Sequence, residues 1–402
     1  MGGMKRYMAT AAILFLLFSC QETRLLQEDS APGGDVPLVY RGVYHELSTK
    51  LGDLKTAISI RPKAEGHCFF GVELLVANSN RGEILLTDRV LRATVLTLDR
   101  LQDLGVQSIA VSIQHPILVS TFPRSAEYRN FYRQVAAEIR KRKIAFIIEV
   151  GTTFREPEFS KLKVEYSELT MGQFKKELRE MATFIIEDLK PDYLTLFTEP
   201  DTQSRNTGLD FSVSNFSAVV RHVAKGLNHK EVRLGAGAGT WDDMDYFSAL
   251  VGIPELDYID MHIYPVQRDF LLDRVAKVAK LSQSRGKGVS IGETWLYKVS
   301  RRELGKISPV KAFARDVYSF WQPLDNQFLT IIVNLSRQVD AEFCSFFWMK
   351  YFYAYLDYSM KTKNLHPQRL IAAADAAAGR NILTNTLSET GKTFKTLLAP
   401  QP

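Results

Sequence analysis

The sequence predicts an α/β protein that folds as one (β/α)8 barrel, the TIM barrel fold. From residue 68 onward, eight short apolar runs alternate with longer stretches of helical periodicity. Most of the runs are near-continuous, as expected of strands that are buried on both faces. Eight such units in about 300 residues favour a closed barrel. The predicted strands are 68–76, 108–115, 145–153, 193–199, 232–239, 258–264, 288–295 and 343–349.

Helical stretches separate these strands and carry their own start and stop signals. Thr170 followed by Gln173 is a capping-box pattern at one helix start, and Gly105 ends another helix. The predicted helices are 39–58, 84–104, 126–143, 171–189, 212–227, 242–250, 269–285, 308–339 and 366–378, and a polar tail follows the last one.

A doubly wound open sheet is the main alternative fold. If it bound a nucleotide, it would be expected to carry a glycine-rich phosphate turn after its first strand, and residues 76–82 do not match one. The Gly-Ala-Gly-Ala-Gly run at 235–239 also lacks the required spacing. We expect that run to supply small side chains inside a crowded barrel.

Composition points away from a nucleic-acid partner. The chain has 402 residues, a net charge of +6 and a hydrophobic fraction of 46%, which is ordinary for a globular protein. Its basic residues are spread along predicted helices, and no zinc knuckle, RNP motif or basic tail is present. We therefore interpret the excess charge as a solvated surface.

The N-terminus has the pattern of a bacterial export signal. Lys5 and Arg6 precede an apolar run over 8–18, which is too short to span a bilayer, and Cys20 follows a small residue. This arrangement resembles a lipobox, with Cys20 as the lipidated first mature residue. We expect a signal peptide over 1–20, a flexible tether over 21–38, the barrel over 39–402, and an extracytoplasmic protein anchored to a membrane. Plain secretion and an uncleaved anchor are the alternatives.

Two cysteines remain in the mature body. Cys68 and Cys344 fall in the first and last predicted strands, where each is expected to be a small buried hydrophobe. Because those strands are neighbours in a closed barrel, a disulfide is conceivable in an oxidising compartment.

Two glutamates mark the predicted site. Glu199 closes the fourth strand and Glu293 closes the seventh, at the end where parallel α/β proteins place their chemistry. Glycoside hydrolysis requires such a carboxylate pair. Strand alternation predicts that Thr195 and Phe197 share the face of Glu199. It likewise predicts that the face of Glu293 is shared by Val289 and Ile291.

The sixth strand predicts two partners for these carboxylates. His262 and Tyr264 share one strand face, next to the strand of Glu293. A Tyr264 hydroxyl could donate to Glu293 and keep it ionised. His262 either lines the site or is a hydrogen-bonded structural histidine.

Aromatic and polar residues at other strand ends fit a sugar site. Trp241, Trp295 and Trp348 fall at strand tips and could stack on pyranose rings, although packing of the rim is the alternative; Trp321 is expected in the core. Glu149 could be a third carboxylate or an ion-pair partner. The other polar candidates for sugar contacts are Glu73, Asn78, Gln114, His115 and Thr152.

Other chemistries lack their motifs. No H-E-x-x-H or other close metal spacing occurs, and the G-x-S-x-G elbow of an esterase is absent. A Schiff-base aldolase would need a lysine at an inner strand position. No lysine lies within a predicted strand, and Lys350 comes just after the eighth. We expect no metal and no cofactor.

These residues carry a family resemblance. Thr198-Glu199-Pro200 is similar to the Asn-Glu-Pro signature of the clan of retaining (β/α)8 glycoside hydrolases that includes cellulases, mannanases and endo-β-1,4-galactanases. The segments 260–264 and 292–295 resemble that clan's sixth and seventh strands, and Trp348 its eighth-strand aromatic. The resemblance implies a retaining β-glycosidase in which Glu199 is the acid/base and Glu293 the nucleophile. It also implies that Tyr264 contacts the nucleophile.

The chain departs from the clan's pattern at one position beside the acid/base. The clan's Asn, which contacts the sugar 2-hydroxyl, is replaced by Thr198, and no Arg ends the second strand. Two alternatives to the enzyme therefore stay open, a non-catalytic carbohydrate-binding barrel and another barrel enzyme such as a lyase or isomerase. For the enzyme, burial and the charge of Glu293 should raise the pKa of Glu199.

Overall fold

The computed structural model describes residues 36–59, 68–264, 266 and 271–399. Its centre is a closed barrel of eight parallel strands that follow one another in chain order, which confirms the predicted fold. The strands are β1 (Phe69–Glu73), β2 (Ser108–His115), β3 (Ala145–Thr152), β4 (Tyr193–Thr195), β5 (Arg233–Gly239), β6 (Tyr258–Ile263), β7 (Gly288–Thr294) and β8 (Phe343–Phe346).

Helices surround the barrel. They are α1 (Arg41–Ser59), α2 (Asp88–Leu104), α3 (Ser125–Lys141), α4 (Met171–Phe184), α5 (Pro200–Thr207), α6 (Val213–Ala224), α7 (Met244–Val251), α8 (Leu271–Gln283), α9 (Pro309–Arg315), α10 (Gln322–Gln338), α11 (Pro367–Thr384) and α12 (Glu389–Leu398). Over the described part of the chain, no helix combines the length and apolar character needed to cross a membrane.

The lower half of the barrel is filled with side chains. One buried cluster unites five strands and consists of Ala110, Ile147, Tyr193, Tyr258 and Phe343. Thr195 and Tyr258 join their hydroxyls by a 2.9 Å hydrogen bond across this layer. A Cβ at Gly235 would lie 2.1 Å from the Tyr258 ring, so the glycine makes room for the ring, as predicted for the 235–239 run.

The predicted strands all exist, but some helices differ from the prediction. The short helix α5 was not predicted, and 308–339 is split into α9 and α10 by a break that contains Trp321. The polar tail prediction was wrong, because 389–398 forms α12. Phe394 on α12 stacks on Phe352 at a ring-centroid distance of 4.5 Å. This contact packs α12 against the segment that follows β8.

The helix predicted before the first strand is present as α1, and it packs against α10. Tyr44 stacks on Trp321 at a centroid distance of 5.6 Å, so Trp321 is a core residue as predicted. Half of the predicted capping box is present, since the Thr170 hydroxyl accepts a 3.2 Å bond from the Gln173 backbone N–H, whereas the Gln173 side chain donates to Glu177.

Both barrel cysteines are buried and unpaired. Cys344 is the strand neighbour of Phe70, and Cys68 lies two residues before Phe70. The predicted signal peptide and Cys20 lie outside the described residues, as does most of the predicted tether.

Candidate active site

Glu199 is held at the barrel mouth by a turn. Strand β4 ends at Thr195, and Glu199 caps the N-terminus of α5 with left-handed backbone angles, φ 51° and ψ 68°. A non-glycine residue adopts this conformation at a cost of about 1–3 kcal/mol, so the surrounding structure must impose it. Pro200 at the first helical position fixes the turn into the helix.

This turn overturns the predicted strand face. Phe197 packs between the helices, with its ring 5.3 Å from Phe174 and 5.3 Å from Phe216, whereas Thr195 faces the barrel interior. The alternation was wrong because the regular strand ends at Thr195. Glu199 faces the cleft because of the turn that precedes α5, and not because it alternates with Thr195 along a strand.

Glu293 reaches the cleft through a bulge. The β6–β7 register pairs Met261 with Ile291 but His262 with Glu293, so Gly292 is an extra residue in β7. Ser290 faces the interior and bonds to Asp260 at 2.5 Å, which places the expected neighbours of Glu293 on the other face.

The prediction that Val289 and Ile291 share the face of Glu293 was therefore wrong. An extra residue in one strand re-aims the side chain that follows it. Glu293 points into the same space as Glu199, about 500 Å³ counted to its open mouth, whereas Val289 and Ile291 pack in the large core.

Both oxygens of Glu199 are occupied. Its Oε1 lies 2.7 Å from Nδ1 of His262, and its Oε2 accepts a 2.7 Å bond from the Thr202 hydroxyl. Glu293 Oε1 accepts a hydrogen bond from the Tyr264 hydroxyl. The structure thus brings together His262 with Glu199 and Tyr264 with Glu293, as the sequence suggested for the second pair.

Further carboxylates surround the other side of His262. Its Nε2 lies 3.3 Å from Asp260 Oδ2 and 3.6 Å from Glu149 Oε2. We call Glu149, Glu199, Asp260, His262 and Glu293 the cleft cluster. Burial alone would lower the pKa of His262, but its contacts with the three acidic neighbours raise it well above its ordinary value. The ring is therefore an imidazolium at neutral pH.

The two central glutamates have opposite pKa shifts. Burial alone would raise the pKa of Glu199, but the hydrogen bond and charge of His262, with help from Thr202, lower it. Burial and the charges of Glu199 and Glu149 raise the pKa of Glu293 well above its ordinary value, although His262 and Tyr264 oppose this. The expected raised pKa of Glu199 was wrong, because the imidazolium touches Glu199 directly.

Several predicted polar residues line the cleft with these carboxylates. Thr198 is buried there, and its hydroxyl has no hydrogen-bond partner in the described ranges. Asn78 and Gln114 also line the cleft. Glu73 lies beneath it and accepts bonds of 3.2 Å from the Asn78 amide and from the Ser112 backbone.

His115 does not join the cleft. Its Nε2 lies 2.7 Å from Glu177 on α4, and its ring packs against Tyr166 and Phe174. It lines a separate surface groove of about 920 Å³ between the β2 and β3 loops. Its role in sugar contact remains only a prediction.

The three rim tryptophans have different environments. Trp241 is partly exposed, donates to Asp201 at 3.3 Å and lies 6.2 Å from the Tyr264 ring, which places it beside the cleft. Trp295 and Trp348 are buried, and the aromatic residue of this segment that lines the cleft is Phe347. Their predicted contact with sugar has no support from this placement.

Sequence reasoning missed some residues of the site. Thr202 and Gln203 lie on α5, a helix too short and polar to be recognised from periodicity. Asp260 could have been found, because it lies two residues before His262 on the same strand face. Among the described residues, Glu149, His262 and Glu293 could hold a metal ion, since ligand atoms from the three lie within 4.8 Å of one another.

Comparison with known proteins gives a match in structure. No family model matches the sequence, and no curated protein matches it. The exo-β-1,4-mannosidase Op5Man5 from Opitutaceae bacterium strain TAV5 superposes with a TM-score of 0.53 at 12% identity, over 83% of this chain and 59% of that chain. GH5_18 from Bifidobacterium longum subsp. longum ATCC 55813 superposes with a TM-score of 0.51 at 12% identity, over 82% of this chain and 78% of that chain.

Similarity at this level of identity concerns the fold. The chain spans about 59% of the length of the mannosidase. Both structures are glycoside hydrolases built on an eight-stranded parallel barrel. This protein shares the (β/α)8 fold of those glycoside hydrolases.

Proposed function

We propose that this protein is a retaining β-glycoside hydrolase that acts on a β-linked oligo- or polysaccharide. One observation carries the proposal: Glu199 and Glu293 come from strand ends β4 and β7 and line one buried cleft. Each has a separate hydrogen-bond partner, His262 for Glu199 and Tyr264 for Glu293. Two carboxylates that flank one cleft are what this chemistry requires.

The proposed reaction has two displacements. Glu293 attacks the anomeric carbon, and the bond from that carbon to the leaving oxygen breaks as Glu199 gives its proton to that oxygen. Water then attacks the same carbon, Glu199 takes a proton from the water, and Glu293 leaves as a carboxylate. Retention requires the two carboxyl groups to lie about 5–5.5 Å apart, which stays a prediction for this pair.

The His262 contact has a cost and a benefit for this reaction. In the empty cleft, the two pKa shifts oppose the productive state with Glu199 protonated and Glu293 ionised, because the pKa of Glu199 is lowered and that of Glu293 is raised. When Glu199 gives up its proton, however, the imidazolium stabilises the carboxylate that forms. His262 therefore favours the transition state over the reactant state of the acid step.

Covalent trapping tests the proposal. Activated 2-deoxy-2-fluoro β-glycosides of glucose, mannose and galactose should add one fluorosugar per chain, located on Glu293 by peptide mass spectrometry. Glu293→Gln should not be labelled, whereas Glu303→Gln, remote from the cleft on the β7–α9 loop, should be labelled like wild type. Labelling of another residue, or turnover of aryl β-glycosides by Glu293→Gln at the wild-type rate, would refute the assignment.

A non-catalytic carbohydrate-binding barrel is the second candidate. The directions of the two pKa shifts favour it, since the pKa is raised on the proposed nucleophile and lowered on the proposed acid. Thr198 adds weight, because the resemblance places an Asn there in active enzymes. This candidate predicts that glycans bind to the cleft while no fluorosugar labels Glu293.

We also propose that the mature protein is anchored to a membrane by a lipid on Cys20, outside the cytoplasm. The sequence alone supports this, through the charged start, the short apolar run and the Cys after a small residue. Metabolic labelling with a radioactive fatty acid should tag the wild-type chain. The Cys20→Ser chain should stay unlabelled and shift from the membrane fraction to the soluble fraction, and equal labelling would exclude the anchor.

A further inference from the structure

The floor of the cleft holds more acidic groups than its cation balances. Four carboxyl groups of the cleft cluster face a single imidazole, that of His262. Among the residues that the structure describes, fifteen line the cleft, and none of these is a lysine or an arginine. The charge of Arg205 helps to lower the pKa of Glu199 without a direct contact. The Arg205 guanidinium instead lies 3.9 Å from Glu156.

Glu149 is the least compensated of these carboxyls. It lines the cleft, only 5% of its surface is exposed, and its Oε1 has no hydrogen-bond partner within the described chain. A Cβ at Gly292 would lie 2.4 Å from Glu149 Oε1 and 2.4 Å from Asp260 Oδ2. A side chain at position 292 would clash with both oxygens, so the glycine allows the two carboxyl groups to lie against the β7 backbone.

A comparison inside the barrel shows that burial alone does not explain this. Glu73 is a buried carboxyl on β1, two strands away from Glu149 on β3. Its Oε1 accepts hydrogen bonds from Asn78 and Ser112. Glu149 sits in the same interior without such donors on Oε1. Because a buried polar group without a partner costs free energy, a ligand that supplies donors and positive charge would be favoured there.

The chemistry of the ligand follows from that deficit. A neutral hydroxyl offers one donor and no charge, whereas an ammonium offers three donors and a positive charge. A carboxylate on the ligand would add repulsion to a site whose described lining residues include no lysine or arginine.

We propose that the cleft accepts a β-linked sugar that carries a protonated amino group, with Glu149 as its counter-ion. Glu149 is thereby the residue that sets the charge preference of the site. This inference rests on the proposed function, since the amino sugar is the unit whose linkage Glu199 and Glu293 would hydrolyse.

Binding of matched ligands tests the inference without turnover. The probes are the phenyl 1-thio-β-glycosides of glucosamine, N-acetylglucosamine, glucose and glucuronic acid, together with the galactosamine and galactose pair, titrated calorimetrically into the wild-type protein at pH 6. The amino glycosides should bind at least about tenfold more tightly than the neutral ones, and the glucuronide most weakly. The N-acetyl glycoside separates charge from size.

Variants assign the preference to one residue. Glu149→Gln should reduce the preference for the amino glycoside to about twofold or less, whereas Glu73→Gln, the matched buried carboxyl, should keep it. Equal affinity for amino and neutral glycosides would overturn the inference, as would a preference that survives Glu149→Gln. If ZnCl2 binds in a Glu149-dependent way while no amino glycoside is preferred, the cation of this site is a metal ion and the sugar assignment is wrong.

The two proposals fail in different ways. A charge preference without hydrolysis and without labelling of Glu293 contradicts the hydrolase and leaves the amino-sugar site standing. Hydrolysis of neutral β-glycosides with no charge preference contradicts only the amino-sugar site. Failure of every glycoside in the panel to bind refutes the amino-sugar site, whereas the hydrolase is decided by the labelling of Glu293.

Discussion

Two groups of buried charges lie near the top of the barrel, and they are built differently. In the cleft cluster, four carboxyl groups face one imidazolium. Behind β7 and β8, a rear cluster of Lys298, Asp316, Asp325, Lys350 and Asp375 pairs each lysine with at least one carboxylate. In the rear cluster Lys298 Nζ lies 2.5 Å from Asp325, and Lys350 Nζ lies 2.7 Å from Asp375.

The rear cluster is also covered by aromatic rings. Lys298 lies 5.3 Å from the Trp295 ring centroid, and Lys350 lies 4.6 Å from that of Trp348. Those two tryptophans, which the sequence suggested as sugar platforms, instead cover buried cations. The comparison teaches that buried carboxylates in direct contact with a lysine indicate structure, whereas several carboxylates that share one imidazole beside a cavity indicate a place for a ligand.

The largest expected effect is on catalysis in the cleft cluster. Glu293→Gln should lower kcat/KM by at least about 10³-fold, because the amide cannot form the glycosyl ester. Its stability in urea should be unchanged or higher, since one buried carboxyl with a raised pKa is removed. Steady-state hydrolysis and urea unfolding of the same preparation provide the check, and a rate within tenfold of wild type would contradict the prediction.

The next largest effect is on the stability of the rear cluster. Asp325→Asn leaves the buried Lys298 with only Asp316, at 3.7 Å, and should destabilise the fold by about 3–5 kcal/mol. Urea unfolding followed by circular dichroism measures this. Glu389→Gln, which breaks an exposed pair with Lys392, should change stability little. Equal effects of the two variants would show that the rear cluster is not a structural device.

The third effect is a pH dependence of stability. Burial and the nearby Glu149 raise the pKa of Glu73 to about 8, so the folded protein keeps this proton at pH values where the unfolded chain releases it. Glu73 therefore makes stability fall as pH rises from about 4 to about 8. The stability of Glu73→Gln relative to wild type should therefore increase as pH rises across that window. At the acid end of the window the two proteins should differ little in stability.

A carboxyl with the opposite shift is the control for this prediction. The hydrogen bond from Arg315 lowers the pKa of Glu303 to about 2. Its stabilisation is present above the unfolded pKa and is lost as pH falls towards 2, so Glu303→Gln should weaken the fold most at neutral pH. Urea midpoints at pH 3, 4.5, 6 and 8 distinguish the two variants, since Glu303→Gln should approach wild type only at the acid end and Glu73→Gln should diverge from it only towards pH 8. Curves parallel to wild type over the whole range would contradict both signs.

The smallest effect is on the pH profile of activity. His262→Gln removes the positive charge that lowers the pKa of both Glu199 and Glu293, so both limbs of the kcat/KM profile should move to higher pH. Thr202→Val removes a hydrogen-bond donor to Glu199 alone and should raise only the pKa of Glu199. Because that pKa lies below the pKa of Glu293, only the acid limb should move. An unchanged profile in His262→Gln would show that His262 only supports the structure.

The fold was predictable because its signal is distributed over many residues. Eight continuous apolar runs separated by helical periodicity allow few other architectures, and small errors at strand ends do not change that. The site depends on single residues. The bulge at Gly292 and the turn at Glu199 reverse the predicted side-chain faces of Ile291 and Phe197, and neither leaves a periodic pattern in the sequence.

The electrostatics of the site were less predictable still. The sequence paired Tyr264 with Glu293 through adjacent strands, and the structure shows that contact. The pKa shift of Glu199, however, depends on a 2.7 Å contact with His262, which lies two strands away on β6. Spacing along the chain cannot reveal that distance, because it depends on how the turn at Glu199 closes.

The filled lower half of the barrel restricts molecular traffic. The layer of Tyr193, Tyr258 and Phe343 seals that end, so everything that reaches Glu293 has to arrive through the mouth. In the proposed reaction, the alcohol must therefore leave and the water must enter through the same mouth of the cleft, one after the other. An added alcohol would compete with water for the same vacated position, so the proposed reaction should also transfer sugars to acceptors and form new glycosidic bonds.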